Sequence, residues 1–308
     1  MAELQAPARK LFFTKNDAAD PRLGEKANGP ETASEVILIG YPDDEGVRLN
    51  SGRDGAALGP DAIREYLYRT TPHPQRRLRP FTDAGNLPAK GELKHRHEAA
   101  IGLCSRWHAD GKKILSFGGG NDYAYPDGMA FLQKFDGQNP LVLNIDAHLD
   151  VRDTGRGLNS GTPFYRLLES GVKFDFVEFG TQSQCNSKAH WDYVLKKGGQ
   201  IVGMDEIAES GLSLREYAVE RLGEALLRRR PAFLALDIDA FAWPYAAGSS
   251  AAWPLGLEPA AFWPLYVLLL KRLDVRALGI YEVAPGLEHG PGTSKLAAQF
   301  AHGFLHDV

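Results

Sequence analysis

The chain has 308 residues, of which 44% are hydrophobic and 24% are charged, and its formal net charge is −4. This composition is ordinary for a soluble globular protein and excludes collagen, a long coiled coil and a largely disordered chain. The slight acidity excludes the basic surface of a nucleic-acid binding protein, and the longest apolar stretch, residues 262–270, is too short to span a membrane. The two cysteines lie far apart, which excludes a disulfide framework, so we expect a reducing, cytoplasmic location.

Short apolar runs alternate with segments of helical periodicity after a polar, aperiodic stretch at residues 1–34, which we predict to be an N-terminal arm. Strands are predicted at residues 36–41, 113–117, 141–145, 174–179, 200–203, 232–238 and 277–283, with a weak eighth near 80–84. Helices are predicted from residue 59 and at residues 92–109, 123–135, 163–169, 188–196, 214–229, 259–271 and 294–304. Continuous apolar runs are typical of strands buried on both faces of a parallel sheet. The pattern therefore predicts one α/β domain over residues 35–308, a three-layer α/β/α sandwich with a mainly parallel, roughly eight-stranded sheet.

In such folds, ligands bind at the carboxyl ends of the strands. The clearest polar cluster, Asp146, His148 and Asp150, directly follows the predicted strand at 141–145. Because side chains alternate along an extended chain, these three would face one side if the chain stays extended. Carboxylates and an imidazole suit a divalent metal such as Mn²⁺, whereas the alternative is an acidic loop with a capping aspartate.

A second pair of carboxylates, Asp237 and Asp239, stands at the end of the predicted strand 232–238. Two like charges at a buried strand end are costly unless a cation lies between them, although a pair of helix caps or a salt-bridged pair is the alternative. Four carboxylates and one histidine from the two strand ends suffice for a two-metal site that activates a shared water. Glu282, at the end of the last strand, adds a further carboxylate or is a surface residue.

A glycine-rich turn follows the predicted strand 113–117, where residues 116–122 read Ser-Phe-Gly-Gly-Gly-Asn-Asp. Three glycines allow a close approach of the backbone to a ligand. The segment matches neither dinucleotide nor P-loop spacing, so it predicts no nucleotide site.

Taken together, the motifs Gly-Gly-Gly-x-Asp, Asp-Ala-His-x-Asp, Asp-x-Asp and Glu-Val-x-Pro resemble those of the ureohydrolase superfamily. This is the arginase, agmatinase and formimidoylglutamase family of binuclear manganese hydrolases, and the resemblance extends from residue 36 to the C-terminus, including residues 50–56 and 59–64. Residues 148–152, 159–164 and 179–187 are most similar to the formimidoylglutamases. Ser160 stands where arginases and agmatinases usually have histidine.

The resemblance implies an arginase-like fold and six metal ligands. Five of them match the residues Asp146, His148, Asp150, Asp237 and Asp239. By resemblance, Asp146 and Asp237 bridge two ions, His148 and Asp239 complete one site, and Asp150 helps to complete the other. The sixth ligand of the family is a histidine, and this chain has Asn121 there, whose amide oxygen is a weaker donor to Mn²⁺ than an imidazole nitrogen. Two ions per chain are expected if Asn121 serves, and otherwise one.

The implied reaction is hydrolysis of a linear amidine or guanidine C–N bond, in this subgroup N-formimidoyl-L-glutamate to glutamate and formamide. The resemblance gives catalytic roles to Asp146, Asp237 and Glu282, of which Glu282 would hold the cationic amidinium. Arg152, Asn186 and Ser160 are the predicted substrate-binding residues, and Arg53 is a further candidate for gripping a carboxylate. For Arg152, Asn186 and Arg53, a structural hydrogen bond or salt bridge is the alternative role.

Two other functions remain open from the sequence. One is an agmatinase or guanidino-acid hydrolase, and the other is a degenerate homologue whose metal site is incomplete and whose activity is slight or absent. The five matching ligands favour activity, and Asp122 could replace the missing histidine only if its loop shifts. The expected partner is a small amidine or guanidine, with no nucleic acid and no membrane, and by resemblance the chain forms a homo-oligomer, a trimer or hexamer.

Overall fold

The structure, a computed structural model, describes residues 3–27 and 31–308. Its centre is a single eight-stranded sheet of order β2-β1-β3-β8-β7-β4-β5-β6, in which every neighbouring pair is parallel. The strands are β1 Val36–Gly40, β2 Phe81–Asn86, β3 Lys113–Phe117, β4 Leu141–Ile145, β5 Asp175–Thr181, β6 Gln200–Gly203, β7 Pro231–Asp237 and β8 Asp274–Tyr281. All carboxyl ends therefore meet at one edge, and the predicted fold class is confirmed.

Helices cover both faces of this sheet. The helices are α1 Glu45–Leu49, α2 Gly59–Leu67, α3 Leu93–Ala109, α4 Ala124–Phe135, α5 Pro163–Leu168, α6 Lys188–Lys196, α7 Met204–Ser210, α8 Leu214–Leu227, α9 Trp243–Ala246, α10 Pro259–Arg272 and α11 Gly292–Phe304. Buried side chains of α2, α7, α8, α10 and α11 form one core with the sheet, and those of α3, α4, α5 and α6 form the other.

Strand β1 shows why the sheet is buried on both sides. Val36 and Leu38 lie in one core, Ile37 and Ile39 lie in the other, and all four are fully buried. Since successive side chains of a strand point to opposite faces, an unbroken apolar run fills both cores at once.

The edge strand β2 was the weak prediction at residues 80–84, and its polar sequence has a structural reason. Asp83 in this strand accepts hydrogen bonds from the guanidinium of Arg64 at 2.8 and 2.9 Å, and both side chains are fully buried. A buried carboxylate is tolerated where a bidentate arginine neutralises it. Asp83 therefore makes the sequence of β2 less hydrophobic although its side chain is buried.

Some predicted boundaries were wrong. The predicted strand 277–283 ends at Tyr281, because Glu282 takes a left-handed conformation with φ of 63° and donates its N–H to the carbonyl of Gly119 at 2.9 Å. The predicted helix 214–229 ends at residue 227 and is interrupted at Gly223, where φ is 71°. The short helices α1, α7 and α9 were not predicted, since a single turn or two carries little periodicity.

The described part of the N-terminal arm packs on the sheet. Leu11, Leu23 and Ala27 belong to a buried core, and Gln5 pairs with Asn86 at the end of β2. Residues 1–2 and 28–30 of the predicted arm lie outside the described residues. The division into an arm and one domain stays a prediction.

Within the described residues, no helix is both long enough and apolar enough to cross a lipid bilayer.

Candidate metal centre and active site

The segment after β4 supplies three of the predicted ligands. Asp146 is fully buried, its Oδ1 accepts the N–H of His148 at 2.7 Å, and the His148 ring Nδ1 lies 3.4 Å from the same oxygen. The chain does not stay extended here, because β4 ends at Ile145 and Asp150 has a φ of 45°. A turn brings the side chains together, and the extended arrangement considered from the sequence was wrong.

The end of β7 supplies the other two carboxylates. Asp237 accepts the N–H of Asp239 at 2.9 Å through a tight turn, so both carboxylates are held at the strand end. Asp239 Oδ2 lies 3.4 Å from His148 Nδ1, while its Oδ1 is buried without a hydrogen-bond partner. Strands β4 and β7 are neighbours in the sheet, which is why the two sets of carboxylates meet.

The five side chains group into two triads. One is Asp146, His148 and Asp239, the other is Asp146, Asp150 and Asp237, and within each triad the candidate ligand atoms lie within 4.8 Å of one another. Asp146 belongs to both, as expected for a carboxylate that bridges two ions. Asp237 is a member of only one triad, so its bridging role stays a prediction.

Asn121 lies beside the second triad. Its Nδ2 donates to Asp146 Oδ2 at 3.1 Å and to Asp150 Oδ2 at 2.8 Å, and its Oδ1 is buried without a partner. Asp122 points elsewhere, since its Oδ2 lies 2.7 Å from Nε2 of the buried His97. Asn121 therefore contacts the carboxylates of the second triad, whereas Asp122 is engaged with His97, and the role of Asn121 as the sixth ligand stays a prediction.

The glycine run before Asn121 makes a close backbone approach possible. A Cβ on Gly119 would lie 1.7 Å from the carbonyl oxygen of Asp43, so a side chain does not fit there. The run packs against the segment after β1, and this packing sets the position of Asn121.

Glu282 is held next to Asn121. Its Oε1 accepts the N–H of Asn121 at 2.8 Å, and its own backbone has the positive φ described above. Ser51, Asp150 and Glu282 are three non-glycine residues with positive φ that line the same cavity. Backbone strain of this kind is typical of functional sites, where the surrounding structure maintains it.

The electrostatics of the centre favour a cation. Burial, followed by the neighbouring carboxylates, raises the pKa of Asp146 to about 8 and raises that of Asp237 well above the usual range. Burial likewise raises the pKa of Asp150 to about 6 and that of Glu282 well above the usual value. Burial alone would lower the pKa of His148, but its carboxylate neighbours raise it well above the imidazole range. Together with the unpartnered oxygens of Asn121 and Asp239, this crowding fits divalent metal ions.

A cavity of about 270 Å³ opens over the centre. Asp150, Asp237, Asp239, His148, Glu282, Arg152 and Ser160 line it. The Ser160 hydroxyl accepts the Asn50 side-chain N–H at 3.1 Å, and the Arg152 guanidinium donates to the side-chain Oδ1 of Asn50. Sequence reasoning missed Asn50 as a site residue, although it begins the quoted motif at residues 50–56.

Two of the predicted carboxylate-gripping residues bind the backbone instead. Asn186 accepts the N–H of Leu149 at 2.8 Å and donates to the carbonyls of Ala147 and Gln182, both at 2.9 Å. Asn186 is not among the residues that line the cavity. Its hydrogen bonds instead hold the ligand loop, residues 146–150, which carries three of the candidate ligands. Arg53 lines the cavity, but its guanidinium donates to the backbone carbonyl of Ser250 at 2.9 Å.

A second cavity of about 470 Å³ adjoins the first and shares Asn50, Ser51 and Arg152 with it. Arg156 and His190 line this second cavity. Neither was predicted, because Arg156 belongs to none of the quoted motifs and only the fold brings His190 near Arg152.

A parallel α/β sheet with two triads of candidate metal ligands at its strand ends is the arrangement expected of a metal-dependent hydrolase. The model of the Arginase family matches residues 34–306, so the chain belongs to the arginase family. Membership makes the protein a hydrolase that acts on the C–N bond of an amidine group in a small molecule.

Relatives and solved structures agree with this assignment. The formimidoylglutamase of Hahella chejuensis is 30% identical over 307 residues, covering 95% of this chain and 93% of the relative. That of Klebsiella pneumoniae is 30% identical over 320 residues, covering 97% and 98%. The crystal structure of Trypanosoma cruzi formiminoglutamase with Mn²⁺ superimposes with a TM-score of 0.81 at 29% identity, covering 93% of this chain and 97% of that one.

Replacing Asn121 should change metal binding in both directions. We expect Asn121→His to bind Mn²⁺ more tightly at the site shared with Asp150, because imidazole nitrogen is the stronger donor. Asn121→Leu, which offers no ligand atom, should lose the ion at the site shared with Asp150. Titration calorimetry on metal-free protein measures both, and a Leu variant with the affinities and stoichiometry of the parent would show that Asn121 is not a ligand.

The metal-free protein should lose stability as pH rises. The carboxyls with raised pKa hold protons in the folded state that the unfolded chain releases near pH 4, so their contribution is present below about pH 4 and lost as pH approaches 8. Mn²⁺ replaces those protons, so the stabilisation by metal should grow over the same range. Thermal unfolding with and without chelator, at pH values from about 5.5 to about 8.5, measures this.

The matched comparison is Asp146→Asn, which removes the acid shared by the two triads at similar volume. Its metal-free form should show a smaller loss of stability with pH. An unchanged pH dependence in this variant would contradict the assignment of the effect to the metal centre.

Proposed function

We propose that the protein hydrolyses N-formimidoyl-L-glutamate to glutamate and formamide and that it holds two Mn²⁺ ions. The observation that carries the proposal is the pair of carboxylate triads that share Asp146, next to a cavity that also contains arginine side chains.

The residues of the centre divide between two ions. His148 and Asp239 would hold one ion, Asp150 and Asn121 would hold the other, and Asp146 with Asp237 would bridge them. When bound, such ions lower the pKa of a water to near neutrality and stabilise the negative charge that develops during hydrolysis.

Glu282 is the group that holds the amidine carbon in place. Its carboxylate lies at the wall of the cavity beside Asp237 and is fixed through Oε1 by the Asn121 N–H. An amidinium cation pairs with a carboxylate through two parallel hydrogen bonds, which orients the planar group. Glu282 thereby presents the electrophilic carbon to the centre, and this positioning accounts for its catalytic role.

Arginine side chains favour an acidic tail on the substrate. Arg152 lies where the two cavities join, and Arg156 lines the outer one. Arginine suits bidentate recognition of carboxylates, and glutamate carries two of them beyond the amidine nitrogen. On the same wall of the cavity, the Asn50 side-chain N–H donates to the Ser160 hydroxyl at 3.1 Å. The hydroxyl proton of Ser160 can then be donated to the substrate. Asn186 keeps only a positioning role, since it binds the backbone of the ligand loop.

Turnover of four substrates side by side tests the proposal. We expect Mn²⁺-loaded protein to prefer N-formimidoyl-L-glutamate over agmatine, arginine and guanidinobutyrate by at least about 100-fold in kcat/KM. The reason is that the other three substrates offer fewer carboxylates to the arginine side chains of the cavity. Preference for agmatine or guanidinobutyrate would make the protein a guanidino hydrolase instead. No turnover of any of the four would make it a degenerate homologue.

A further inference from the structure

Strand β5 carries a glutamate in the interior of the sheet. Glu178 is fully buried and stands opposite Asn144 of the neighbouring strand β4. Its Oε2 accepts the Asn144 side-chain N–H at 2.8 Å, while its Oε1 has no hydrogen-bond partner among the described residues. Burial and the nearby Asp146 carboxylate raise the pKa of Glu178 well above its usual value. A buried carboxyl with only one of its two oxygens hydrogen-bonded lowers the stability of the fold, which makes a functional role for Glu178 worth testing.

Asn144 connects this glutamate to the metal centre. Its Nδ2 donates to Glu178 Oε2 and also to Asp146 Oδ2, at 3.3 Å, while its Oδ1 is buried without a partner. Both acceptors therefore lie on the Nδ2 side of the amide. The same Nδ2 group donates to both acceptors, so the hydrogen bond to Glu178 helps to hold the Asn144 amide in place beside Asp146.

Asp146 is the ligand for which orientation matters most, because it belongs to both triads. Its other hydrogen-bond donors are the His148 N–H and the Asn121 amide, which come from candidate ligands themselves. Asn144 is the donor that reaches Asp146 from the body of the sheet. Groups that orient a metal ligand in this way typically change metal affinity by about 10- to 100-fold when they are removed.

We propose that Glu178 is a positioning residue for the metal centre, acting through the Asn144 amide to hold Asp146 in the orientation that both metal sites require. The inference rests on the proposed metal-dependent function. It concerns metal binding, which can be measured without any substrate.

Two substitutions of Glu178 separate this role from a purely structural one. Glu178→Gln keeps an acceptor oxygen for Asn144 and should bind Mn²⁺ like the parent. Glu178→Leu fills the same space without an acceptor and should bind Mn²⁺ about 10-fold or more weakly. The metal-free Leu variant should unfold at a temperature no lower than the parent, because an apolar side chain suits the interior of the sheet better than a half-satisfied carboxyl.

A double-mutant cycle with Asn144→Leu makes the test sharper. If Glu178 acts through Asn144, the double variant Glu178→Leu/Asn144→Leu should bind Mn²⁺ no more weakly than Asn144→Leu alone. Thr181→Val is the matched control, since Thr181 is also buried on β5 and its hydroxyl has no hydrogen-bond partner, so its Mn²⁺ affinity should equal that of the parent.

Titration calorimetry of Mn²⁺ into metal-free protein decides the outcome. Equal affinities in the parent and Glu178→Leu, or fully additive losses in the double variant, would overturn the positioning role while leaving the proposed function intact. A parent that binds no Mn²⁺ would overturn both.

Discussion

Asp146→Ala should abolish both metal binding and turnover, with kcat reduced by at least about 1,000-fold. The reason is geometric, because Asp146 is the one side chain common to the two triads, and its removal takes a ligand from each. Loss of Asp150 or of Asp239 should leave one triad complete. Metal analysis after incubation with Mn²⁺, together with formamide release from N-formimidoyl-L-glutamate, measures both effects.

The control for this variant is Asp192→Ala, which removes an exposed carboxylate that pairs with Lys188 on the surface of α6. Its metal content and activity should equal those of the parent. If Asp146→Ala keeps its activity, hydrolysis does not depend on this centre and the metal mechanism is wrong.

Arg152→Gln should lower kcat/KM for N-formimidoyl-L-glutamate by about 10- to 100-fold, mainly by raising KM. Glutamine can still donate to Asn50, so the cavity wall is kept, but it carries no charge for the substrate carboxylates. Arg152→Lys should recover only part of the loss, since an ammonium cannot form the bidentate pair. Steady-state kinetics of the three proteins measure the effect.

The selectivity of the variant gives the decisive comparison. A substrate without carboxylates, such as agmatine, should be turned over by Arg152→Gln as slowly as by the parent. Arg229→Ala removes an exposed arginine just before the amino end of β7, opposite the edge of the sheet where the cavities lie, and should match the parent for both substrates. An equal loss for both substrates in Arg152→Gln would mean that Arg152 supports the fold of the site and does not select acidic substrates.

The fold and the grouping of the carboxylates at one edge were predictable from the sequence for a local reason. The apolar run Leu141–Ile145 must lie inside a sheet, and its parallel neighbour β7 ends in the same way, so their polar ends had to meet at one edge. This reasoning needs only the alternation of strands and helices. It predicts that Asp146, Asp150 and Asp237 lie at the same edge of the sheet.

The remaining features depend on contacts between distant segments. The turn at Asp150 and the left-handed Glu282 have no local signal, because neither residue is a glycine. Asn186 looked like a substrate-binding residue, yet the backbone groups of the ligand loop use its amide. His190 gave no partner pattern in the sequence, since only the docking of α6 brings it beside Arg152. Glu178 carried a visible signal, a lone acid in an apolar strand, which the sequence reasoning passed over.

The most direct test measures Mn²⁺ content and formamide release on one preparation of the parent protein. The account predicts two Mn²⁺ ions per chain and hydrolysis of N-formimidoyl-L-glutamate, both lost after treatment with a chelator and both restored by added Mn²⁺. Undiminished hydrolysis by protein stripped of Mn²⁺, or no hydrolysis by protein that holds two ions, would contradict it.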